Sequence, residues 1–422
     1  MRSAAEQTFS GGLTSVKEGV DPALRRSLRR AEWRRKLKAW ALIAPMVIFL
    51  TLVFILPISM LMWRAIDNPE VRQFLPQTAA VLADWDGKGL PEEAAFAALA
   101  ADLQTTSAAD RIGNLARRLN SERSGFRSLI TKSAKALPLQ GEARQALLAV
   151  DPRWGELVYW QAIARNTGRF TPAYVLAALD HVQDAQGHIV KADPASAIYL
   201  DIFGRTLWMG GVSTVLCLLL AFPLAYWAST LPERQAHLVM ICVLIPFWTS
   251  VLARIAAWMV LLQQGGLVNS GLMAVGLIHA PLPLLFNRTG VYISMVHIML
   301  PFMILPLYSV MRSVPASYMR AAISLGSHPF AAFWRVYVPQ TYAGVGAGCL
   351  LVFITAIGYY ITPALLGGPG DQMVSYYIAY FTNQVINWGM ACALGLLLLL
   401  ATLVLYALYQ RMARPNASVS RR

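Results

Sequence analysis

One charged side chain lies well inside an apolar segment of this sequence. Arg254 follows Pro246–Ser250 and stands among aliphatic and aromatic residues. An ionisable residue within such a segment is a candidate for ligand binding. The alternative is that its guanidinium pairs with a neighbouring helix or reaches towards the surface. The sequence contains no Asp or Glu from Arg234 to Gly370, so this stretch holds no carboxylate of its own.

Aromatic side chains around Arg254 could bind a cationic solute. The face of an aromatic ring attracts a cation by about 1–2 kcal/mol when the pair is desolvated. For any single aromatic residue, surface anchoring or core packing is the more common role. Asp371 ends a Gly-Gly-Pro-Gly-Asp stretch, where it could gate access or cap a turn. The residues considered as a solute pathway are Trp248, Thr249, Arg254, Trp258, Tyr359, Tyr360 and Asp371.

No cluster of residues in the sequence suits catalysis or metal binding. His181 and His188 have no partners at the spacing of a zinc site. His297 stands alone in an apolar segment, where a hydrogen bond to a neighbouring helix explains it better than a proton relay. The cysteines fall singly in apolar runs, at Cys217, Cys242, Cys349 and Cys392. We therefore predict no catalytic, cofactor-binding or metal-binding residues in this chain.

The stretch from Ser317 to Gly348 separates two apolar segments and predicts a helix–turn–helix elbow. Met319–Leu325 favours a short helix, Gly326 fits its left-handed end, and Pro329 suits the first turn of the next helix. Pro339 is expected to break or kink the chain. The second helix would carry an aromatic face at helical spacing, formed by Phe330, Phe333, Trp334 and Tyr337. Such an elbow could dock into a groove of a soluble partner, or lie on lipid headgroups.

Composition places the chain in a membrane. It has 422 residues, of which 56% are hydrophobic and 14% charged, with a mean hydropathy of +0.48. Soluble proteins carry about 25% charged residues. The net charge of +14 is explained by basic loops on the cytoplasmic side. The sequence contains no basic stripe with interleaved aromatics, so we do not expect it to bind nucleic acid.

The hydropathy pattern predicts an all-α polytopic membrane protein with six transmembrane helices. The expected spans are 39–63, 205–230, 237–262, 290–311, 342–366 and 389–409. We expect a cytoplasmic tail at 1–38, a membrane core at 205–411 with a cytoplasmic loop at 312–341, and a cytoplasmic tail at 412–422. Basic residues before the first span and after the last predict that both termini are cytoplasmic.

Residues 64–204 differ from the rest, because they are rich in alanine and in balanced charges. Their helical periodicity predicts a large, mainly helical periplasmic insertion between the first two transmembrane helices. It could be a docking platform for a periplasmic partner or a structural cap, and the sequence favours neither.

The elbow resembles the E-A-A-x3-G-x9-I-x-L-P loop of the permeases of ABC importers, which engages the ATP-hydrolysing subunit. Val336 and Val338 replace the Ile and Leu of the pattern, and Arg320 stands at the position of its Glu, a reversal of charge. The resemblance implies that the residues coupling the chain to an ATPase are Arg320, Ala321, Ala322, Gly326, Phe330, Phe333, Trp334 and Pro339.

A second stretch, Pro246–Ser250 followed by Arg254 and Ala257–Trp258, is similar to permeases of the spermidine/putrescine branch of that superfamily. This resemblance covers the first span and roughly residues 200–410. It implies an inner-membrane complex with an ATPase dimer, a second and different permease, and a periplasmic solute-binding protein. ATP and Mg would be bound by the ATPase, and transport would proceed by alternating access.

The expected function is translocation of polyamine-like or related small nitrogenous solutes. The missing carboxylates leave open zwitterionic or anionic amino-acid derivatives, held partly by Arg254. An ion-gradient-driven secondary transporter is the main alternative, but such proteins tend to place Asp, Glu or His relays in their spans. A membrane enzyme would need a catalytic cluster, and we find none in the sequence. A purely structural scaffold would not need the elbow, so the elbow argues against that alternative. The chain carries no G-x-x-x-x-G-K-[ST] phosphate loop, so we do not expect it to hydrolyse ATP itself.

Overall fold

The computed structural model describes residues 22–106, 109–184 and 187–413. The predictions for the tail before residue 22 and for the tail after residue 413 lie outside these residues. The chain forms two compact units, Met1–Leu61 and Met62–Arg422.

The first unit is helical wherever it is described. Helix α1 (Pro22–Leu50) continues through a π-helical turn (Thr51–Ile55) into α2 (Leu56–Arg64). The run Arg35–Arg64 has 30 residues and a mean hydropathy of 2.7, enough to cross a bilayer.

The insertion between the first two spans is a small helical body with its own core. Its helices are α3 (Pro69–Phe74), α4 (Pro76–Leu82), α5 (Glu93–Thr105), α6 (Ala109–Glu122), α7 (Phe126–Lys135), α8 (Ala143–Val150), a 3₁₀ helix (Pro152–Gly155), α9 (Leu157–Arg165) and α10 (Ala173–Ala178). Strands β1 (His181–Gln183) and β2 (Ile189–Lys191) follow as an antiparallel hairpin, with His181 opposite Lys191. The Trp154 indole donates to Ser133 Oγ at 2.8 Å, which satisfies a buried polar group within this core.

Asp151 fixes one turn of the insertion. Its carboxylate accepts from the Arg153 guanidinium at 2.8 and 2.9 Å, and from the Arg153 backbone N–H at 3.2 Å. The side-chain hydrogen bond from Arg153 holds the pKa of this carboxyl well below its ordinary value. The ionised carboxylate therefore stabilises the start of the 3₁₀ helix at neutral pH.

The remaining elements form a membrane bundle. They are α11 (Tyr199–Thr230), α12 (Glu233–Leu244), a 3₁₀ helix (Ile245–Trp248), α13 (Val251–Leu262), α14 (Leu267–Ala274), α15 (Arg288–Ser313), α16 (Ala316–Ser324), α17 (Pro329–Ala332), a π-helical turn (Phe333–Tyr337), α18 (Val338–Gly358), α19 (Ile361–Leu366), a 3₁₀ turn (Pro369–Asp371), α20 (Val374–Tyr380), a second π-helical turn (Phe381–Val385) and α21 (Trp388–Ala413). Six helical runs in the described part of the chain are long and apolar enough to span a membrane, as the sequence predicts.

Helices α11, α15 and α18 pack against one another at the centre of the bundle. Small residues on α18 permit this close approach. A Cβ at Gly344 would lie 3.0 Å from the Cβ of Val310, and one at Gly348 would lie 2.7 Å from the sulfur of Met303 on α15. Gly346 points instead to Tyr409 of α21. These glycines thus allow two neighbouring helices to approach α18 closely, as is common in membrane bundles.

Two predicted spans are interrupted. The span expected at 237–262 is broken between α12 and α13, and the span expected at 342–366 is broken between α18 and α19. The apolar pattern continues across both breaks, so hydropathy alone could not locate them. By contrast, α15 continues through both Pro301 and Pro306.

The insertion is attached to the bundle through α10. Tyr174 of α10 packs on Gly389 of α21, where a Cβ would lie only 2.3 Å from its ring. Burial raises the pKa of Tyr174 to about 12. The Asp180 carboxylate caps α11 by accepting the backbone N–H groups of Tyr199 and Leu200, each at 2.9 Å. The insertion is therefore held against the ends of α11 and α21.

Candidate coupling loop and solute pathway

The elbow turns at Gly326. This residue has a φ of +91°, which favours glycine, as the sequence predicts. The Ser327 N–H donates to the Ala322 carbonyl at 3.0 Å, and the Gly326 N–H donates to the Ile323 carbonyl at 2.9 Å. This pair of hydrogen bonds is a Schellman motif, which satisfies the last carbonyls of α16.

The second helix of the elbow begins with Pro329 at its first turn, as expected. His328 caps it, because its Nδ1 accepts the Phe330 N–H at 3.3 Å. Of the two outcomes expected for Pro339, a break or a kink, the break does not occur, since the helical run continues from Pro329 to Gly358. The π-helical turn Phe333–Tyr337 precedes this proline and changes the hydrogen-bond spacing where an α-helix would clash with its ring.

The α-helical spacing predicted that the aromatic residues of the elbow share one face. In the structure they do not. Phe333 and Tyr337 stack at 5.6 Å and lie 5.1 and 5.2 Å from the Tyr226 ring of α11. Phe330 and Trp334 are 68% and 53% exposed. The π-helical turn separates the two pairs, so Phe333 fastens the elbow within this chain while Phe330 and Trp334 are available to another protein.

Arg312 fastens the other side of the elbow. Its Nη1 donates to the carbonyls of Ser229 and Leu231 at 2.9 and 3.0 Å, which satisfies the end of α11. Arg320 is exposed on α16, as is Ala321, whereas Ala322 is partly covered and Pro339 is exposed at the start of α18. The elbow is thus a pre-formed surface that is apolar at its tip and basic at its side.

The second candidate site lies at the two helix breaks. The chain is extended at Thr249 and Ser250 before α13, and again at Tyr359 before α19. The Tyr359 carbonyl, released from the helix, accepts the Ser375 hydroxyl at 3.1 Å. Helix α13 packs against α15 and α19, so residues near both breaks meet inside the bundle. Unwound segments in membrane helices are tolerated where they face protein or a cavity.

Arg254, in the first turns of α13, is only 9% exposed. Its Nε is buried and has no hydrogen-bond partner among the described residues. It lies within electrostatic range of both His297 on α15 and Tyr359. Trp258, one turn further along α13, donates its indole N–H to His297 Nδ1 at 3.2 Å. Arg254 therefore lies near both His297 and Tyr359, and Trp258 is bonded to His297.

Three buried hydroxyl-bearing residues near the breaks, Tyr292, Ser294 and Thr362, were not singled out from the sequence, whereas Tyr359 was. Tyr292 OH and Ser294 Oγ have no hydrogen-bond partner in the described part of the chain. Tyr359 OH and Thr362 Oγ1 are buried beside each other. Ser294 and Thr362 read as ordinary span residues, since hydroxyls often bond within their own helix.

The other pathway candidates lie apart from this group or already have partners. Trp248 is 87% exposed, and Tyr360 is also exposed. Thr249 donates to the Pro246 carbonyl at 2.7 Å. Asp371 accepts the Gly368 N–H at 3.0 Å, and also Arg288 Nε at 2.9 Å. Asp371 therefore caps the turn, which was one of its two expected roles.

A cleft of about 1470 Å³ opens between the insertion and the end of α21. Its walls carry Arg64, Arg117, Arg123, Glu70 and Trp388. The Arg118 guanidinium, which also lines the cleft, lies 4.7 Å from the centre of the Tyr174 ring. Its Nε donates to Asn68 Oδ1 at 2.8 Å. The cleft is lined by many polar and charged side chains.

Comparison with known proteins identifies the chain's relatives. The model of the family described as "Binding-protein-dependent transport system inner membrane component" matches residues 170–415. The chain belongs to this family. The match begins at residue 170, just before α10, and covers the bundle. Most of the insertion therefore lies outside it.

Two relatives in this family are spermidine/putrescine transport system permease proteins named PotB. The protein of Haemophilus influenzae is 36% identical over 209 residues, covering 49% of this chain and 73% of that protein. The protein of Escherichia coli is 30% identical over 217 residues, covering 51% and 79%. A solved bacterial alginate ABC transporter overlaps 51% of this chain and 78% of that chain, at 18% identity and a TM-score of 0.43, too weak a likeness to carry a conclusion.

The resemblance inferred from the elbow and from Pro246–Ser250 is thus confirmed. This family member is a multi-pass inner-membrane protein and the permease component of a binding-protein-dependent ABC importer. Its relatives are permease components and not enzymes.

Proposed function

We propose that this permease translocates polyamine-like or related small nitrogenous solutes by ATP-driven alternating access. The substrate class is supported by the relatives named as spermidine/putrescine permeases. The coupling role is supported by the elbow, whose tip exposes Phe330 and Trp334 while Phe333 and Arg312 fix it to α11. An ATPase dimer, which binds ATP and Mg, would hold this tip and move it.

The elbow end of the bundle would face the cytoplasm, together with both termini. The insertion would then lie in the periplasm, beside the outer ends of α11 and α21. A second, different permease would complete the pathway, and a periplasmic binding protein would deliver the solute. Because the insertion is packed rigidly on α21 through Tyr174, its polar cleft is suited to receive that binding protein.

A second solute class is favoured by one observation. Arg254 is buried and makes no ion pair with the residues that the structure describes, which would suit a zwitterionic or anionic amino-acid derivative.

The proposed mechanism is tested with the complex purified on this chain and reconstituted in proteoliposomes. We expect uptake of labelled putrescine or 4-aminobutyrate to require ATP on the elbow side and to continue when ionophores abolish ion gradients. Uptake that proceeds without ATP and stops with an ionophore would instead identify a secondary transporter.

A further inference from the structure

The elbow carries more positive charge than its own fold uses. Residues 312–341 contain three arginines and no Asp, Glu or Lys. Arg312 is used within the chain, because its guanidinium donates to the carbonyls at the end of α11. Arg320 on α16 and Arg335 in the π-helical turn are exposed, and neither makes an ion pair or a side-chain hydrogen bond with the residues that the structure describes. These two residues are the unpaired arginines of the elbow.

The unpaired arginines border the apolar tip. Arg335 follows Trp334 directly, and α16 packs against the π-helical turn that holds both. Met319 packs on the core of the bundle, whereas its neighbour Arg320 is exposed. Leu325, which ends α16, is 89% exposed beside the turn. A partner that covers this apolar surface also covers the arginines at its border.

Covering these arginines requires a counter-charge. A guanidinium stays protonated, and a charge buried at an interface without a partner is costly. The elbow cannot supply the acid, because the sequence has no Asp or Glu from Arg234 to Gly370. A carboxylate pairs well with a guanidinium, since it accepts two parallel N–H bonds. The counter-charge then comes from the protein that holds the tip.

The charge at position 320 also excludes partners. The loop pattern that the elbow resembles has a Glu at this position, where this chain has Arg320. A groove complementary to that Glu would present positive charge, and it would repel the guanidinium. Like charges that face each other across an interface suppress binding of the wrong partner.

We infer that the ATPase groove that receives this elbow presents carboxylates to Arg320 and Arg335. Arg320 thereby selects this ATPase over one whose groove suits an acidic elbow. This inference rests on the proposed function, which it deepens by naming the charge of the partner surface and a residue that decides which partner binds.

The test measures binding of the ATPase to charge variants. The complex is purified through the full-length chain, freed of its ATPase and placed in nanodiscs, and the labelled ATPase that co-purified with the unmodified chain is titrated back. Arg320→Glu should weaken binding at least about tenfold, because like charges then face each other. Arg320→Lys keeps the charge without the bidentate geometry and should stay within about threefold of the unmodified chain. Both replacements are good helix formers, so α16 is retained.

Arg411→Glu is the matched control. Arg411 is exposed in α21, and Tyr409 of that helix lies beside Gly346 of α18, which places Arg411 at the same end of the bundle as the elbow. Its reversal should change ATPase affinity by less than about twofold, as is usual for a surface charge. Unchanged binding in Arg320→Glu, or an equal loss in Arg411→Glu, overturns the inference.

Cross-linking identifies the surface that Arg320 faces. A photo-crosslinking amino acid placed at position 320 should attach to an ATPase segment that contains Asp or Glu. Replacing that acid by Arg should restore at least about tenfold of the affinity lost in Arg320→Glu, because opposite charges face each other again. Attachment to an ATPase segment without acids, or to anionic lipid alone, overturns the inference. This result decides the question if Arg320→Glu does not assemble.

Failure of this inference is distinguishable from failure of the proposed function. If the unmodified chain co-purifies with no ATPase, both are overturned. If one ATPase binds the unmodified chain and Arg320→Glu equally well, ATP-driven transport stands and only the charge selection by Arg320 is overturned.

Discussion

Replacing Gly326 should separate ATP hydrolysis from transport. The residue has a φ of +91°, and a Cβ added there would meet nothing within 4 Å. A larger side chain would therefore cause no collision, and its cost is the backbone strain alone. The left-handed conformation costs an L-residue roughly 1–2 kcal/mol, with β-branched residues at the upper end.

That cost changes the population of the native turn by a factor of about 5–30. Gly326→Val should thus reduce ATP-driven uptake by about that factor, because the Schellman turn that presents the elbow tip is less populated. The amount of chain in the membrane should not change, since the turn lies outside the packed bundle. Uptake and ATP hydrolysis are measured on the same reconstituted complex.

Gly326→Asn is the matched control, because asparagine adopts the left-handed conformation at low cost. It should transport close to the wild-type rate. If the Val and Asn variants transport equally well, backbone conformation at this turn does not control coupling, and the reasoning is refuted.

Three further predictions concern other surfaces. Trp334→Asp should weaken recovery of the ATPase with the tagged chain, whereas Leu277→Asp, at an exposed apolar residue beyond α14, should not; equal recovery would count against docking at the elbow tip. Asp151→Asn should destabilise the insertion at pH 7 by about 1.5–3 kcal/mol, the value of a hydrogen bond to a charged group. The pKa of this carboxyl is lowered on folding, so its stabilisation is present above about pH 3.9 and is lost as the pH falls towards the folded pKa. Hydrogen exchange of α8 in both proteins at pH 7 and at pH 3 should show a difference that shrinks, and a constant difference would contradict this assignment. Replacing residues 69–194 with a short flexible linker should abolish stimulation of ATP hydrolysis by the binding protein while ATPase recovery remains; persistent stimulation would make the insertion a structural cap.

Local turn chemistry in the elbow was readable from the sequence. Gly326 and Pro329 mark a helix end and a helix start because their backbone preferences are strong and need no distant contact. The membrane spans were readable for a similar reason, since length and hydropathy act within one segment.

The sequence did not predict which aromatic residues of the elbow face inward and which face outward. Phe333 and Trp334 are neighbours in sequence, and only the π-helical turn with the Tyr226 ring on α11 decides which of them faces inward. The helix breaks at Thr249 and Tyr359 were also hidden, because apolar residues continue on both sides.

Other features depend on contacts between segments that are distant in sequence, and the sequence alone did not predict them. The Asp180 carboxylate caps α11 because the insertion folds back onto the start of that helix. Residue spacing in the sequence does not predict this contact. The hydrogen bond between Trp258 and His297 was foreseen only as a bond to some neighbouring helix. For Arg254, the sequence showed that the surrounding stretch contains no acid, and the structure added that the side chain is buried.

Purification of the tagged full-length chain from its native membrane, followed by mass spectrometry, tests the central claim most directly. The account predicts recovery of an ATPase with a phosphate-binding loop, together with a second permease and a periplasmic binding protein. Recovery of the chain alone, in a form that still transports solute in proteoliposomes without ATP, would contradict it.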